Sequence, residues 1–292
     1  MDAEDWSLLI DRIALGKCTP FLGAGASWPT IETGKELAKE WAKAHKYPLK
    51  DREDLSRVTQ FMGVKDPVRP KEEIIKHLAT KGEPDFSNPN EPHAVLAKLP
   101  LPIYITTNYD HFMVRALAAA NKEPHQEICR WNTHPNVLNA PGRLKDDPDY
   151  EPSEYHPLVF HLHGHLGITE SLVLTEDDYL DYLVAISERK DVLLPEVVRG
   201  AFAGTSLLFI GYSLADWDFR VLHRGLVVRS DPSMRRVSVT VQLPYKERSA
   251  RRIQEYLNQY FSRMSASVYW GSATDFAAEL RQRWEDHEAA AA

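Results

Sequence analysis

Apolar residues in this chain fall into short unbroken runs, and amphipathic stretches separate them. The runs at 18–22, 103–106, 158–162, 207–210, 237–241 and 267–270 have the length and β-branched or aromatic content of buried strands, and 172–174 reads as one more short strand. Between them the period changes. Trp6, Leu9, Ile10 and Ile13 share one face of a helix over 5–16. Thr33 and Glu36 have the spacing of a capping box, which predicts a helix over 34–45. Further helices are predicted over 51–62, 70–80, 91–98, 111–120, 176–188, 191–203, 215–228, 246–262 and 273–286. Residues 132–157, rich in Pro, Asp, Asn and Gly, form the longest stretch without periodicity. Strands alternating with helices predict an α/β fold, a Rossmann-like parallel sheet with helices on both faces. The whole chain, 1–292, reads as one domain with a helical insertion at about 46–98.

Composition narrows the function more than the fold. Hydrophobic residues make up 43% of the 292 and charged residues 26%, enough to build a core without staples. Lys and Arg number 35 against 42 Asp and Glu, so the net charge is −7. Nucleic-acid coating needs a basic field, and direct nucleic-acid binding is not expected. Two cysteines, Cys18 and Cys129, make neither a disulfide framework nor a four-cysteine zinc site. No apolar run reaches the roughly 18 residues a membrane helix needs. The acidic start lacks the order of a secretory signal, so a cytoplasmic protein is expected.

The unusual residues gather at strand ends, where open parallel sheets bind ligands. Gly23, Ala24, Gly25, Ala26 and Ser27 follow the first strand, a pattern that lets backbone approach a pyrophosphate or simply makes a tight turn. It is not the nucleotide-triphosphatase loop, because Gly34-Lys35 is followed by Glu36 instead of Ser or Thr. Thr107, Asn108, Tyr109 and Asp110 follow the second strand. Asn108 can hold a water or a sugar hydroxyl and Asp110 can accept from a carboxamide, or the pair can be a turn or helix cap. His161, His163 and His165 alternate at the end of the third strand. They read either as metal ligands on one face or, better, as one general base near neutral pH, His163, with two structural neighbours. Gly211, Tyr212 and Ser213 end the 207–210 strand, with Asp216 placed to cap the next helix.

In that order, these segments resemble the sirtuin superfamily, and in particular its bacterial sirtuin-like NAD-hydrolase branch, found in antiphage defence. Phe209-Ile210-Gly211-Tyr212-Ser213 with Asp216 and Arg220 looks like that branch, and the resemblance spans about 18–275. It implies NAD as substrate, with no metal. Gly23, Ala24, Gly25 and Ser27 would cradle the pyrophosphate, and Asn108, flanked by Thr107, would position a water. Asp110 would hold the nicotinamide carboxamide, His163 would act as base on a ribose hydroxyl, and Gly211 and Ser213 would touch phosphate or ribose. It further implies self-assembly or a partner chain, such as an ATPase, a short Argonaute or a phage-sensing protein. Deacylating sirtuins carry a four-cysteine zinc module after the catalytic histidine and a Gly-Ile-Pro-Asp-Phe-Arg segment after the first loop. This chain has neither: no cysteine follows Cys129, and residues 28–34 read Trp-Pro-Thr-Ile-Glu-Thr-Gly. NAD hydrolysis is therefore expected ahead of protein deacylation or ADP-ribosyl transfer, with a non-catalytic NAD or ADP-ribose sensor as the reading from another class.

Overall fold

Every strand pairing found is parallel. In the computed structural model, which describes residues 1–147, 149–212, 238–245, 250–262 and 265–291, seven strands form one sheet in the order β3-β4-β2-β1-β5-β6-β7. They are β1 (Cys18–Leu22), β2 (Ile103–Thr106), β3 (His125–Ile128), β4 (Leu158–His161), β5 (Ser206–Ile210), β6 (Ser238–Gln242) and β7 (Ala266–Trp270). Six were expected. The seventh, β3, is a polar edge strand, His-Gln-Glu-Ile, with no apolar run to announce it. Conversely, 172–174 is not a strand. Val173 N bonds His163 O, just past the end of β4, at 3.1 Å, while Leu172 and Leu174 pack elsewhere.

Side-chain alternation divides the core in two. Leu22, Tyr104, Val159, Leu208 and Ile210 point to one face, covered by α1 (Ala3–Ala14), α5 (Pro92–Lys98), α6 (Phe112–Ala119) and α12 (Ala273–Ala291). Phe21, Ile105, Phe160, Leu207 and Phe209 point to the other, covered by α9 (Glu176–Leu193), α10 (Glu196–Gly204) and α11 (Ala250–Ser262). A fully buried ring such as Phe160 contributes about 1.5–3 kcal/mol by leaving water. A third apolar cluster joins α2 (Gly34–Ala44), α3 (Leu55–Gly63) and α4 (Arg69–Ala79) through Leu37, Trp41, Val58, Met62 and Ile74, and takes in Leu172 and Leu174. The Thr33–Glu36 capping box is formed. Short helices α7 (Pro135–Leu138) and α8 (Arg143–Asp146) interrupt the long connection after β3. The helix expected over 215–228 and the first residues of the one expected over 246–262 lie outside the described residues.

The register sets the stage for the site. Leu22 pairs with Thr106 and with Ile210, and Thr106 pairs with His161. The ends of β1, β2, β4 and β5 therefore stand at one level of the sheet. After β4 the chain returns to lay β5 on the far side of β1, so the strand order reverses around β1, the place where such sheets leave a crevice.

Candidate functional site

The loop after β1 is locked to the loop after β5. Gly23 N donates to Ile210 O at 2.9 Å and Gly25 N to Gly211 O at 3.0 Å. Gly211 has φ +84°, and a Cβ there would lie 2.3 Å from Ala26 N. Only glycine satisfies both the conformation and the space. Residues 24–26 form a short 3-10 turn in which Ala26 N bonds Gly23 O and Ser27 N bonds Ala24 O. Four of the five amides from Gly23 to Ser27 are thus already engaged. Ala24, which is exposed, carries the one with no partner among the described residues. The glycines pack two loops together, and an anion here meets chiefly the Ala24 amide.

Ser27, Asn108 and Asp110 come together as one hydrogen-bonded unit. Asn108 Nδ2 donates to Gly23 O and to Ser27 Oγ, each at 3.1 Å. Ser27 Oγ donates to Asp110 Oδ2 at 3.1 Å, and Asp110 Oδ1 accepts from Phe112 N at 2.9 Å. Asp110 is therefore both a site carboxylate and the anchor of the first turn of α6. Asn108 Oδ1 receives no donor from the described residues. Thr107 Oγ1 lies 2.8 Å from the Tyr212 hydroxyl, which donates to Leu22 O at 2.8 Å. A hydroxyl has one proton to give, so Thr107 is the donor of that pair. Tyr212 thereby ties the ends of β1, β2 and β5 together. Ser213, with Asp216 and Arg220, lies outside the described residues.

The histidines separate. The strand ends at His161, so the alternation expected to put His161 and His163 on one face is lost. His163 turns under α9, edge-on to Tyr179 at 5.3 Å and to Tyr182 at 5.0 Å between ring centres. Gly164, at φ +77° with Ser171 O 2.3 Å from where a Cβ would be, makes the turn that sends it there. His163 is 3% exposed, and its Nε2 is buried without a partner. Burial pushes its pKa down to about 3, well away from the neutral region expected for it, so the ring is an uncharged acceptor. The Tyr182 hydroxyl, also fully buried, likewise has no partner among the described residues. Two orphaned polar atoms on touching rings are an uncommon cost in a core, and they mark a place where a ligand would repay it.

His161 and His165 cluster instead with His111, the three ring centres lying 5.2 to 6.4 Å apart. Gln126 Nε2 donates to His111 Nδ1 and His161 Nε2, 3.0 Å each, which occupies the lone pairs a metal would need. Among the described residues no group of three His, Cys, Asp or Glu is arranged to hold a metal ion. Cys18 and Cys129 are both buried and unpaired. No helix among the described residues is long and apolar enough to cross a membrane.

Reading the sequence missed Tyr182, Tyr212 and Gln126. Tyr212 sits beside the flagged Gly211 and was within reach. Tyr182 is an ordinary apolar-face position of α9, and Gln126 lies on the strand without an apolar signature; neither carries a local signal.

Comparison with known proteins places the chain in a family. Three curated relatives are each named NAD(+) hydrolase ThsA. The one from Enterococcus faecium is 26% identical over 226 residues, 73% of this chain and 41% of the relative. That from Cytobacillus dafuensis is 26% identical over 204 residues, 69% of this chain and 36% of the relative. That from Bacillus cereus is 30% identical over 126 residues, 43% and 22% of the two chains. The chain thus spans about two fifths or less of the length of these relatives. A structure solved in work on the "Structural Basis for the Mechanism and Regulation of Sir2 Enzymes" aligns over 98% of this chain and 99% of its own, with a TM-score of 0.44 and 12% identity. The model of the SIR2-like domain matches residues 102–264, more than half of the chain, from β2 through the strand ends carrying Asn108, His163 and Gly211; the chain belongs to the SIR2-like domain family.

Proposed function

We propose that this chain hydrolyses NAD⁺ to nicotinamide and ADP-ribose. The observation that carries the reading is the Ser27–Asn108–Asp110 cluster at the ends of β1 and β2, with a buried His163 just past the end of β4 whose Nε2 has no partner among the described residues. The activity named for the relatives supports it. NAD⁺ suits what these residues offer. The free Ala24 amide, with Gly23, Gly25 and Ser27 shaping the turn, takes the pyrophosphate. Asp110 accepts from the carboxamide of the nicotinamide, and Thr107 and Gly211 form the adjoining walls. His163 Nε2 accepts a hydrogen bond from a ribose hydroxyl, Asn108 Oδ1 accepts one from the attacking water, and the proton that water loses passes to solvent.

The chemistry asks little more. As the glycosidic C–N bond opens toward an oxocarbenium-like ribose, nicotinamide leaves neutral, so no acid is needed to protonate it. Holding the water in line and stabilising ribosyl charge supply several kcal/mol. The test is purified protein with NAD⁺, measuring nicotinamide and ADP-ribose with and without an acetylated peptide. Nicotinamide release without peptide is expected. Asn108→Ala and His163→Ala are each expected to lower kcat by about a hundredfold or more while the far-UV spectrum is unchanged. Release that depends strictly on the peptide overturns hydrolysis in favour of deacylation.

The same reading makes the chain a cytoplasmic effector of antiphage defence that depletes NAD⁺. An enzyme of that kind poisons its own cell unless held inactive, so control belongs to self-assembly or to a partner chain that favours the active state. Specific activity that rises with protein concentration, in step with the sedimentation coefficient, supports self-assembly. Activity restored only by a second protein supports the partner.

A further inference from the structure

Asn108 is held by its backbone as firmly as by its side chain. Its amide donates to Thr106 Oγ1 at 2.9 Å, and its carbonyl lies 3.2 Å from His161 Nδ1. Behind His161, on the edge strand β3, Gln126 places Nε2 at 3.0 Å from both His161 Nε2 and His111 Nδ1. These contacts determine where the protons are. A carboxamide nitrogen has two protons and accepts none, so both ring nitrogens facing it carry lone pairs. His161 therefore bears its single proton on Nδ1 and donates it to the Asn108 carbonyl. The reversed amide fails. Oε1 facing the rings would draw the proton of His161 to Nε2 and leave a bare Nδ1 against a carbonyl oxygen. Only a cationic ring would escape that, in a place where His161 is 1% exposed and no carboxylate touches it.

We propose that Gln126 and His161 are positioning residues: Gln126 sets the tautomer of His161, His161 holds the Asn108 backbone, and Asn108 Oδ1 is thereby aimed at the attacking water. The inference rests on the NAD⁺ hydrolysis proposed above. It makes the polar edge strand part of the catalytic apparatus, although none of its residues reaches substrate. With its amide, carbonyl and Nδ2 all engaged, Asn108 has only Oδ1 left to offer. A slack carbonyl would let that atom swing, and small misplacements of a reacting water are costly.

Gln126→Glu separates this role from simple packing. The shapes match, but a carboxylate only accepts, so both rings must turn a proton toward it. ¹⁵N spectra of histidine side chains are expected to show His161 protonated at Nδ1 alone in the wild type and at Nε2 alone in the variant, both read, with turnover, at a pH high enough to keep the ring neutral beside the new carboxylate. NAD⁺ turnover is expected to fall about tenfold or more in kcat with KM within about twofold, the pattern of a lost transition-state contact. His161→Asn, whose Nδ2 can replace Nδ1 as donor, is expected to keep more of kcat than His161→Leu at matched thermal stability. An unchanged tautomer in Gln126→Glu, or a changed tautomer with wild-type kcat, overturns the proposal, as does equal loss in the two His161 variants. A wild-type protein that leaves NAD⁺ intact under every condition overturns the functional reading instead. The spectra then still decide whether Gln126 sets the tautomer.

Discussion

A buried polar atom without a partner is a small debt in a folded protein, and Tyr182 and His163 carry one each. A hydroxyl stranded in this way costs about 1–3 kcal/mol. Tyr182→Phe removes that cost and keeps the ring that packs on His163. If the hydroxyl serves no ligand, the variant is as stable as the wild type or more so, with unchanged kinetics. If it meets the substrate beside His163, stability is again unharmed but KM for NAD⁺ rises about tenfold. We expect the second result, read by a thermal melt beside a saturation curve; a variant equal to wild type in KM excludes Tyr182 from the site. Asn108 and His163 were singled out because each is a polar residue just past an apolar run. Tyr182 was not, because on a helix facing a sheet a tyrosine is indistinguishable from any other large core residue. The charge of His163 was not legible. Nothing local in Leu-His-Gly reports the two tyrosines of α9 that desolvate it.

At the level of elements, α9 is the link between the site and the helical cluster. Its first turn is gripped from outside. Gln60 Nε2 donates to Asp177 and Gln60 Oε1 accepts from Asp177 N, at 2.6 and 3.0 Å, and Thr59 Oγ1 lies 3.0 Å from Leu174 O. Lys71 Nζ reaches Asp178 Oδ1 at 2.7 Å, with side-chain exposures of 13% and 14%. Asp178 Oδ2 meanwhile closes the capping box on Thr175 N at 2.9 Å. One carboxylate thus caps α9 and docks α4 on it, one turn ahead of the tyrosine that packs on His163. Asp178→Ala loses the cap and strands a mostly buried ammonium. A loss of about 2–4 kcal/mol is expected in urea unfolding, with faster amide exchange in the first turns of α9. A loss below about 0.5 kcal/mol, the range of ordinary surface changes, contradicts this account. The cap was readable from Thr175 and Asp178 alone, and so was the helix. The docking was not, because Lys71 and Asp178 are more than a hundred positions apart and each reads as a solvated charge. The same limit explains the 172–174 segment. Its apolar run reads as a strand, but Leu172 and Leu174 are buried against the α2–α4 cluster and Val173 in the sheet-side core, without a ladder.

The whole molecule should feel its histidines through pH. Burial, the leading cause in each case, pushes His161 and His163 down to about 3 and His165 to about 4; neighbouring histidines add to the effect on His161 and His165. In the unfolded chain all three return to the ordinary value near 6.5. The sign follows directly. Between pH 6.5 and 4 the unfolded chain binds protons that the native fold refuses, so acid favours unfolding. Their stabilising neutrality is fully present above pH 6.5 and is lost as pH falls toward the folded values. Each contributes up to about 1.4 kcal/mol per pH unit in that window. The free energy of unfolding is therefore expected to be level from pH 8 to 7 and to drop by several kcal/mol between pH 7 and 5, before most carboxylates take up protons. Catalysis should behave differently. His163 stays an uncharged acceptor well below neutrality, so on protein that remains folded kcat should show no loss through pH 6.5 on the acid side. His163→Leu, which removes one of the three refused protons, should flatten the stability curve by about one proton's worth of slope. Urea titrations at pH 7.5 and 5.5 on wild type and variant decide the point. Equal stabilities at the two pH values would mean that these buried rings take up protons in the native fold.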